Sequence, residues 1–307
     1  MGLFSRLFIA VILIVAVPYY WLLLDAGPRG SRVTPIDIPA IRRLAASVPG
    51  QRPISVEYAP LAVRQMAGTI LVAGGGLRVQ TVAKIAFRLV TPGGDTVIDT
   101  GPTEAQAADV GFKHFNFEAR RLADTWTQGA RQVVFTHEHP DFVGSLIASE
   151  AFTPLAAKTI LTRRQAEIMD RMRPGVIDEV GQIVPSDRLL AVAPGIVLVP
   201  APGHSPGSQL IYVQLSDGRE YLFAGDTATM ERNVTWLRPR SRLASSWQGG
   251  EDREAVIGLL KGLADATARY PELRVVYGGD LAWLQNARQG PGFSSAFRYG
   301  GQEPDGY

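Results

Sequence analysis

The chain of 307 residues contains no cysteine. That excludes disulfides, thiolate metal ligands and a thiol nucleophile, and it permits an oxidising compartment without requiring one. An excess of one charge is also lacking: 31 Lys and Arg against 29 Asp and Glu leave a formal charge of +2. This is too little for the basic face that a nucleic-acid partner needs. A phosphate-binding P-loop and a G-x-G-x-x-G fingerprint are absent, and Gly74-Gly75-Gly76 reads as a turn between strands. No low-complexity tract stands out. Histidine is scarce as well, with only His114, His137, His139 and His204, so their positions carry weight.

What the chain does have begins with an uncharged, mostly apolar run from Leu7 to Leu24, preceded by Arg6. About 18 such residues nearly span a bilayer core. Tyr19, Tyr20 and Trp21 near its end resemble an interfacial aromatic belt. The run is read as an uncleaved membrane anchor covering residues 1–25; a cleaved signal peptide is the alternative. The short stretch before it places the N-terminus inside and the domain on the extracytoplasmic, periplasmic side. Residues 26–54, with Gly27-Pro28, Pro35, Pro39 and Pro53, read as a linker holding one short helix at Ile38 to Ser47. Residues 55–290 form the main domain, and 291–307 a loose, polar tail.

Within that domain, strands are expected at Ile54 to Tyr58, Thr69 to Ala73, Lys84 to Val90 and Thr96 to Ile98. A helix is expected from Phe117 to Thr127, with Asn116 as its cap. Strand-like Arg131 to Phe135 is followed by Thr136-His137-Glu138-His139-Pro140-Asp141-Phe142-Val143-Gly144. Two imidazoles and a carboxylate therefore lie on a loop at the C-terminal end of a strand, where ligands bind in open α/β sheets. Such side chains are common ligands of zinc and related ions. His204 lies in Pro202-Gly203-His204-Ser205-Pro206-Gly207-Ser208, after the apolar run Ile196 to Val199. Asp226 lies in Gly225-Asp226-Thr227 after strand-like Tyr221 to Phe223, and Leu210 to Gln214 pairs with that strand through the hairpin signal Asp217-Gly218. A helix is expected over Glu251 to Ala266 and a last strand over Leu273 to Tyr277.

In order, these motifs resemble those of the metallo-β-lactamase superfamily. The strand-end Asp is matched by Asp99, T-H-x-H-x-D-H-x-G by Thr136 to Gly144 except at one position, P-G-H-T-P-G-S by Pro202 to Ser208 with Ser205 for Thr, and G-D-T by Gly225 to Thr227. The late G-H-D is matched only by Gly278-Gly279-Asp280. The resemblance implies an α/β fold, the four-layer αβ/βα sandwich, here preceded by one transmembrane helix. It also implies metal ligands at His137, His139, His204 and Asp226, with Asp99 supporting the loops from behind. The two positions that would complete a second metal site hold Phe142 and Gly279, which cannot ligate.

The expectation is therefore a single-zinc hydrolase. A zinc-bound hydroxide would attack an ester-like or amide-like bond (lactone, thioester or β-lactam-like), with Asp141 orienting it or acting as base. Iron is the alternative metal, which would point to an oxygenase of the persulfide dioxygenase kind. A non-catalytic metal- or ligand-binding domain is the third reading. Phe142, Trp236, Arg238 and Arg240 are the candidate substrate contacts, their indole and guanidinium groups suiting a carboxylate or an amphipathic small molecule. The sequence leaves the oligomeric state open.

Overall fold

A computed structural model describes residues 2–28, 30–247 and 249–295. The first sheet contains β1 (Ser55–Ala67), β2 (Val79–Val90), β3 (Thr96–Ile98), β4 (His114–Phe115) and β5 (Gln132–Val134), in the order β4-β1-β2-β3-β5. Strands β6 (Ile160–Thr162) and β7 (Gln182–Val184) form a parallel pair, joined to β5 by a bridge from Val133 to Thr159. The second sheet contains β8 (Leu190–Ala193), β9 (Ile196–Pro200), β10 (Gln209–Gln214), β11 (Glu220–Phe223) and β12 (Leu273–Val276), in the order β12-β11-β10-β9-β8.

The two sheets pack face to face through Ile85, Phe87, Ile98, Ile211, Val213 and Phe223. The outer face of the first sheet is covered by helices Phe117–Gly129, Pro140–Ile147 and Arg163–Met172, which bring Ala123, Val143 and Met169 onto Val97, Val133 and Phe135. The outer face of the second is covered by helices Ile38–Ser47 and Arg253–Arg269, with Ile38, Ile41, Leu260 and Leu263 against Val197, Tyr212 and Leu222. Each sheet is apolar on both faces because each carries a helical layer on one side and the other sheet on the other. The result is the αβ/βα sandwich. Residues 26–54, read as a linker, include a helix whose Ile38 and Ile41 are fully buried in this packing. The expected loose tail lies, from residue 296 onward, outside the described residues.

Two strand expectations change. The first strand runs 13 residues, Ser55–Ala67, rather than ending at Tyr58. Pro60 is accommodated by a register shift between Pro60 and Ala62, the kind of irregularity that lets proline remain in a ladder. The run Thr69 to Ala73 is not a strand; Gly68–Leu71 is one helical turn. Its backbone closes the β1–β2 connection, Gly68 N donating to Arg78 O and Thr69 N to Gly76 O. Tertiary loop closure overrides the β propensity of Thr69, Ile70 and Val72.

The N-terminal segment Leu3–Leu24 is helical for 22 residues, with mean hydropathy 2.6 and no buried residue in its apolar window. It could cross a membrane on length and composition.

Candidate metal centre

The site is assembled at the C-terminal ends of two parallel strand pairs, β3 with β5 and β11 with β12. Asp99 follows β3, His137 and His139 follow β5, Asp226 follows β11, and Gly279 follows β12. His204 comes from the connection between β9 and β10. Loops at such ends approach one another closely. At Gly225, φ is +51° and an added Cβ would lie 2.7 Å from Thr136, so glycine is required both for the backbone angle and for the contact.

The metal-ligating atoms of His137, His139 and His204 lie within 4.8 Å of one another. His204 Nε2 and His139 Nδ1 are 3.0 Å apart, and His137 Nε2 is buried with no hydrogen-bond partner. Burial drives the His137 ring well below its usual pKa, and it takes His139 down to about 3. Both rings are therefore neutral at ordinary pH, as metal ligation requires.

On two of the three rings the outer nitrogen is held from behind. Thr136 Oγ1 lies 3.1 Å from His137 Nδ1 and donates to Asp99 Oδ2 at 2.8 Å, so it accepts from Nδ1–H. Asp99 also accepts Thr136 N at 2.8 Å and has φ +57°, a left-handed angle uncommon for a residue with a side chain. Behind His204, Glu251 Oε1 is 2.8 Å from Nδ1. Arg240 Nη2 also approaches that nitrogen at 2.6 Å, while Arg240 Nε binds Glu251 Oε1 at 2.6 Å. Only the carboxylate lets Nδ1 keep its proton and leaves the Nε2 lone pair free for a cation. Burial would raise Glu251, but Arg240 and the His204 hydrogen bond prevail and hold it at about 2. This carboxylate–imidazole arrangement is a usual support for a metal-binding histidine. The orphaned His137 Nε2, the close grouping of the ring nitrogens and the neutral His137 and His139 rings all fit a cation.

The other half of the site holds Lys84. Its Nζ lies 2.7 Å from Asp141 Oδ2 and 3.2 Å from Asp226 Oδ2, and 4.2 Å above the Phe142 ring. Burial works against its charge, but the two carboxylates outweigh it and keep the ammonium protonated. Asp226 is held far below the usual carboxylate range: burial would raise it, and Lys84, His204 and Arg240 lower it further than burial raises it. Its other oxygen accepts from Thr229 Oγ1 at 3.2 Å. Phe142 is 2% exposed and its ring centre is 4.0 Å from that of His137. Gly279 lies against β2: Ala83 N donates to Gly279 O at 3.0 Å, and an added Cβ would lie 2.6 Å from Val82. A longer side chain at 279 would collide with the strand that delivers Lys84.

The expected substrate contacts divide. Arg240 lines the cavity above the site. Trp236 is half-exposed and Arg238 donates to Ala73 O at 3.0 Å; neither is among the cavity-lining residues. His114 is the exposed first residue of β4, away from the cluster.

Three further side chains at the site are not marked by the sequence motifs. In the sequence Lys84 reads as the start of a strand, yet it is the only charged residue in the buried run Val82 to Phe87, and a central lysine in such a run demands carboxylate partners. Glu251 reads as the start of a helix, but Asp252 caps that helix by accepting Ala255 N, so the helix starts at Arg253 and Glu251 is left to face His204. Glu138, between the two histidines, is 1% exposed and clamps the third motif through Ser205 Oγ at 2.9 Å and Gly207 N at 3.1 Å.

The sequence profile described as the metallo-beta-lactamase superfamily matches residues 86–254, more than half of the chain. The protein belongs to the metallo-β-lactamase superfamily. Members of this superfamily are largely hydrolytic and metal-dependent. Comparison with curated proteins found no significant match. Among solved structures, a quorum-quenching N-acyl homoserine lactone lactonase is similar over 78% of this chain and 97% of its own, at 16% identity and TM-score 0.61. An N-acyl homoserine lactone hydrolase, solved with N-hexanoyl-L-homoserine at its catalytic metal centre, is similar over 76% and 95%, at 16% identity and TM-score 0.59. AidC, a dizinc quorum-quenching lactonase, is similar over 77% and 91%, at 10% identity and TM-score 0.54. At these identities the likeness concerns the fold.

Proposed function

We propose that this protein is a single-metal hydrolase acting on an ester-like or amide-like bond. The observation that carries this reading is Lys84, whose ammonium lies between Asp141 and Asp226. A second ion there would have to share two carboxylates with a buried cation, next to Phe142 and Gly279, which offer no donor. His137, His139 and His204 would hold the one ion, with Asp226 shared between it and Lys84. Zinc in that position would lower the pKa of a water toward neutrality and polarise the scissile carbonyl.

The chain's own groups do the rest. Thr136 and Glu251 fix the two imidazole tautomers. Asp141, on the cavity floor beside Lys84, would take a proton from the attacking water. Lys84 has three N–H donors and directs two at carboxylates, leaving one for charge that develops on the substrate. Burial keeps that charge fixed and unscreened. The apolar N-terminal helix serves in this reading as an anchor, with the domain on the extracytoplasmic side.

Elemental analysis of protein purified without chelator, with steady-state assays on esters, lactones, thioesters and β-lactams, tests the proposal. One zinc per chain with turnover of one class is the expected result. Two ions per chain overturns the role given to Lys84, and one iron moves the chemistry to oxygen activation. A metal-loaded protein inert toward every class removes the hydrolase.

A further inference from the structure

Above Lys84, Asp141, Asp226 and Arg240 the cavity has a volume of about 440 Å³, within the range of small-molecule sites. Its walls are mainly apolar: Met66, Ile70, Leu71, Val82, Phe112 and Trp247 rise from the charged floor. A small hydrophilic ester has no use for such walls. An aliphatic chain does, because each methylene it buries against them is removed from water.

Two of those walls are also where the N-terminal helix ends. The turn Gly68–Leu71 supplies Ile70 and Leu71 to the cavity; Thr69 Oγ1 from the same turn donates to Leu23 O at 2.9 Å, and Gly74 N just beyond it donates to the same oxygen at 2.9 Å. The helix Arg242–Ser246 supplies Ala244, followed by Trp247; its Arg242 pairs with Asp25 at 2.6 Å and stacks on Trp21 at 3.8 Å. Arg253 Nη2 donates to Asp25 O at 2.6 Å. The end of the apolar helix is thus fastened to the rim of the cavity. A cleaved leader would leave these contacts unmade.

The surface around this point is apolar too. Outside the N-terminal helix, ten large hydrophobic residues are exposed among the described residues, and five of them (Leu77, Val79, Trp236, Leu237 and Trp247) lie on the segments tied to its end. Arg232 stacks on Trp236 and Arg64 on Trp247. Aromatic and cationic side chains together suit the headgroup level of a bilayer.

We propose that the substrate is an amphipathic molecule with a single aliphatic chain, drawn from the bilayer through this rim, its chain against the apolar walls and its scissile group on the charged floor. The last clause rests on the hydrolase reading; the chain-binding cavity and its membrane-side entrance do not.

Photolabelling tests it on the full-length protein in phosphatidylcholine vesicles containing a trace of diazirine-bearing long-chain fatty acid, with labelled residues mapped by peptide mass spectrometry. The expected result is labelling at Leu71, Val82 or Phe112 as well as along Leu7 to Leu24. Met66→Trp and Ile70→Trp, both at half-buried wall positions, lower cavity labelling about tenfold while labelling of the helix is unchanged. Labels confined to the helix overturn the proposal. Cavity labelling by a water-soluble short-chain probe, with none from the vesicle-borne one, overturns the bilayer route. No turnover is needed, so a labelled cavity in an inactive protein supports this inference while removing the hydrolase, and an unlabelled cavity in an active one does the reverse.

Discussion

On one side of the site, the ring nitrogens of three imidazoles lie within 4.8 Å of one another. On the other, a lysine ammonium stands between two carboxylates. The first half is a set of donors suited to a cation that the chain does not itself supply. The second is already balanced, with its cation on the chain. The difference lies in three coupled positions. Phe142 gives the ammonium an aromatic face, Gly279 lets β2 approach, and β2 brings Lys84. Degeneracy at 142 and 279, seen alone, suggests loss; on the proposed single-metal reading, Lys84 beside them makes it an exchange of one kind of positive charge for another.

The comparison breaks most completely at His204. His204→Ala is expected to abolish metal binding and to lower turnover beyond the about 10²–10³-fold that removal of one electrostatic group costs; elemental analysis and kinetics measure both. On the other half, Lys84→Ala leaves Asp141 and Asp226 buried without their cation. A stability loss of about 3–5 kcal/mol follows, read by denaturant unfolding of the metal-free protein. Lys84→Met combined with Asp141→Asn is expected to recover part of it, because a buried charge is removed along with its partner. If Lys84→Ala unfolds at the wild-type denaturant concentration, the ammonium is not the counterion described here.

Smaller effects sharpen the contrast. Glu251→Gln keeps the shape behind His204 but removes the charge, and metal affinity is expected to fall about 10–100-fold with the fold intact; competition with a chromophoric chelator measures it. Gly279→Ala drives a methyl group toward Val82 and is expected to cost about 1–3 kcal/mol. Val82→Ala in the same chain opens space and returns part of that loss, whereas an effect confined to metal affinity would show that the contact with β2 is unimportant.

The donor half was legible in the sequence because its chemistry is local. His137 and His139 flank a single residue just after a strand, and His204 follows a recognisable strand. The sandwich was legible for the same reason, since strand and helix periodicities follow each other along the chain. The balanced half was not. Lys84 meets Asp141 and Asp226 across 57 and 142 positions, and only the place of β2 in the first sheet and the packing of the second sheet against it bring them together. Glu251 depends on which of two adjacent acidic residues caps a helix, and Asp252 takes that role. Thr69 to Ala73 failed in the opposite way: its local signal was for a strand, and closure of the β1–β2 connection overruled it.

Lys84 also bears on supply. An ion can be stripped by a chelator, diluted, or replaced by a competitor of similar size, but an ammonium held by peptide bonds is exchanged only by mutation. On the proposed single-zinc reading, a cell short of zinc would deprive this protein of one charge and never of both. On that reading the Lys84 side of the site would keep its charge balance through every cycle of metal loss and reloading, a fixed edge beside the three imidazoles.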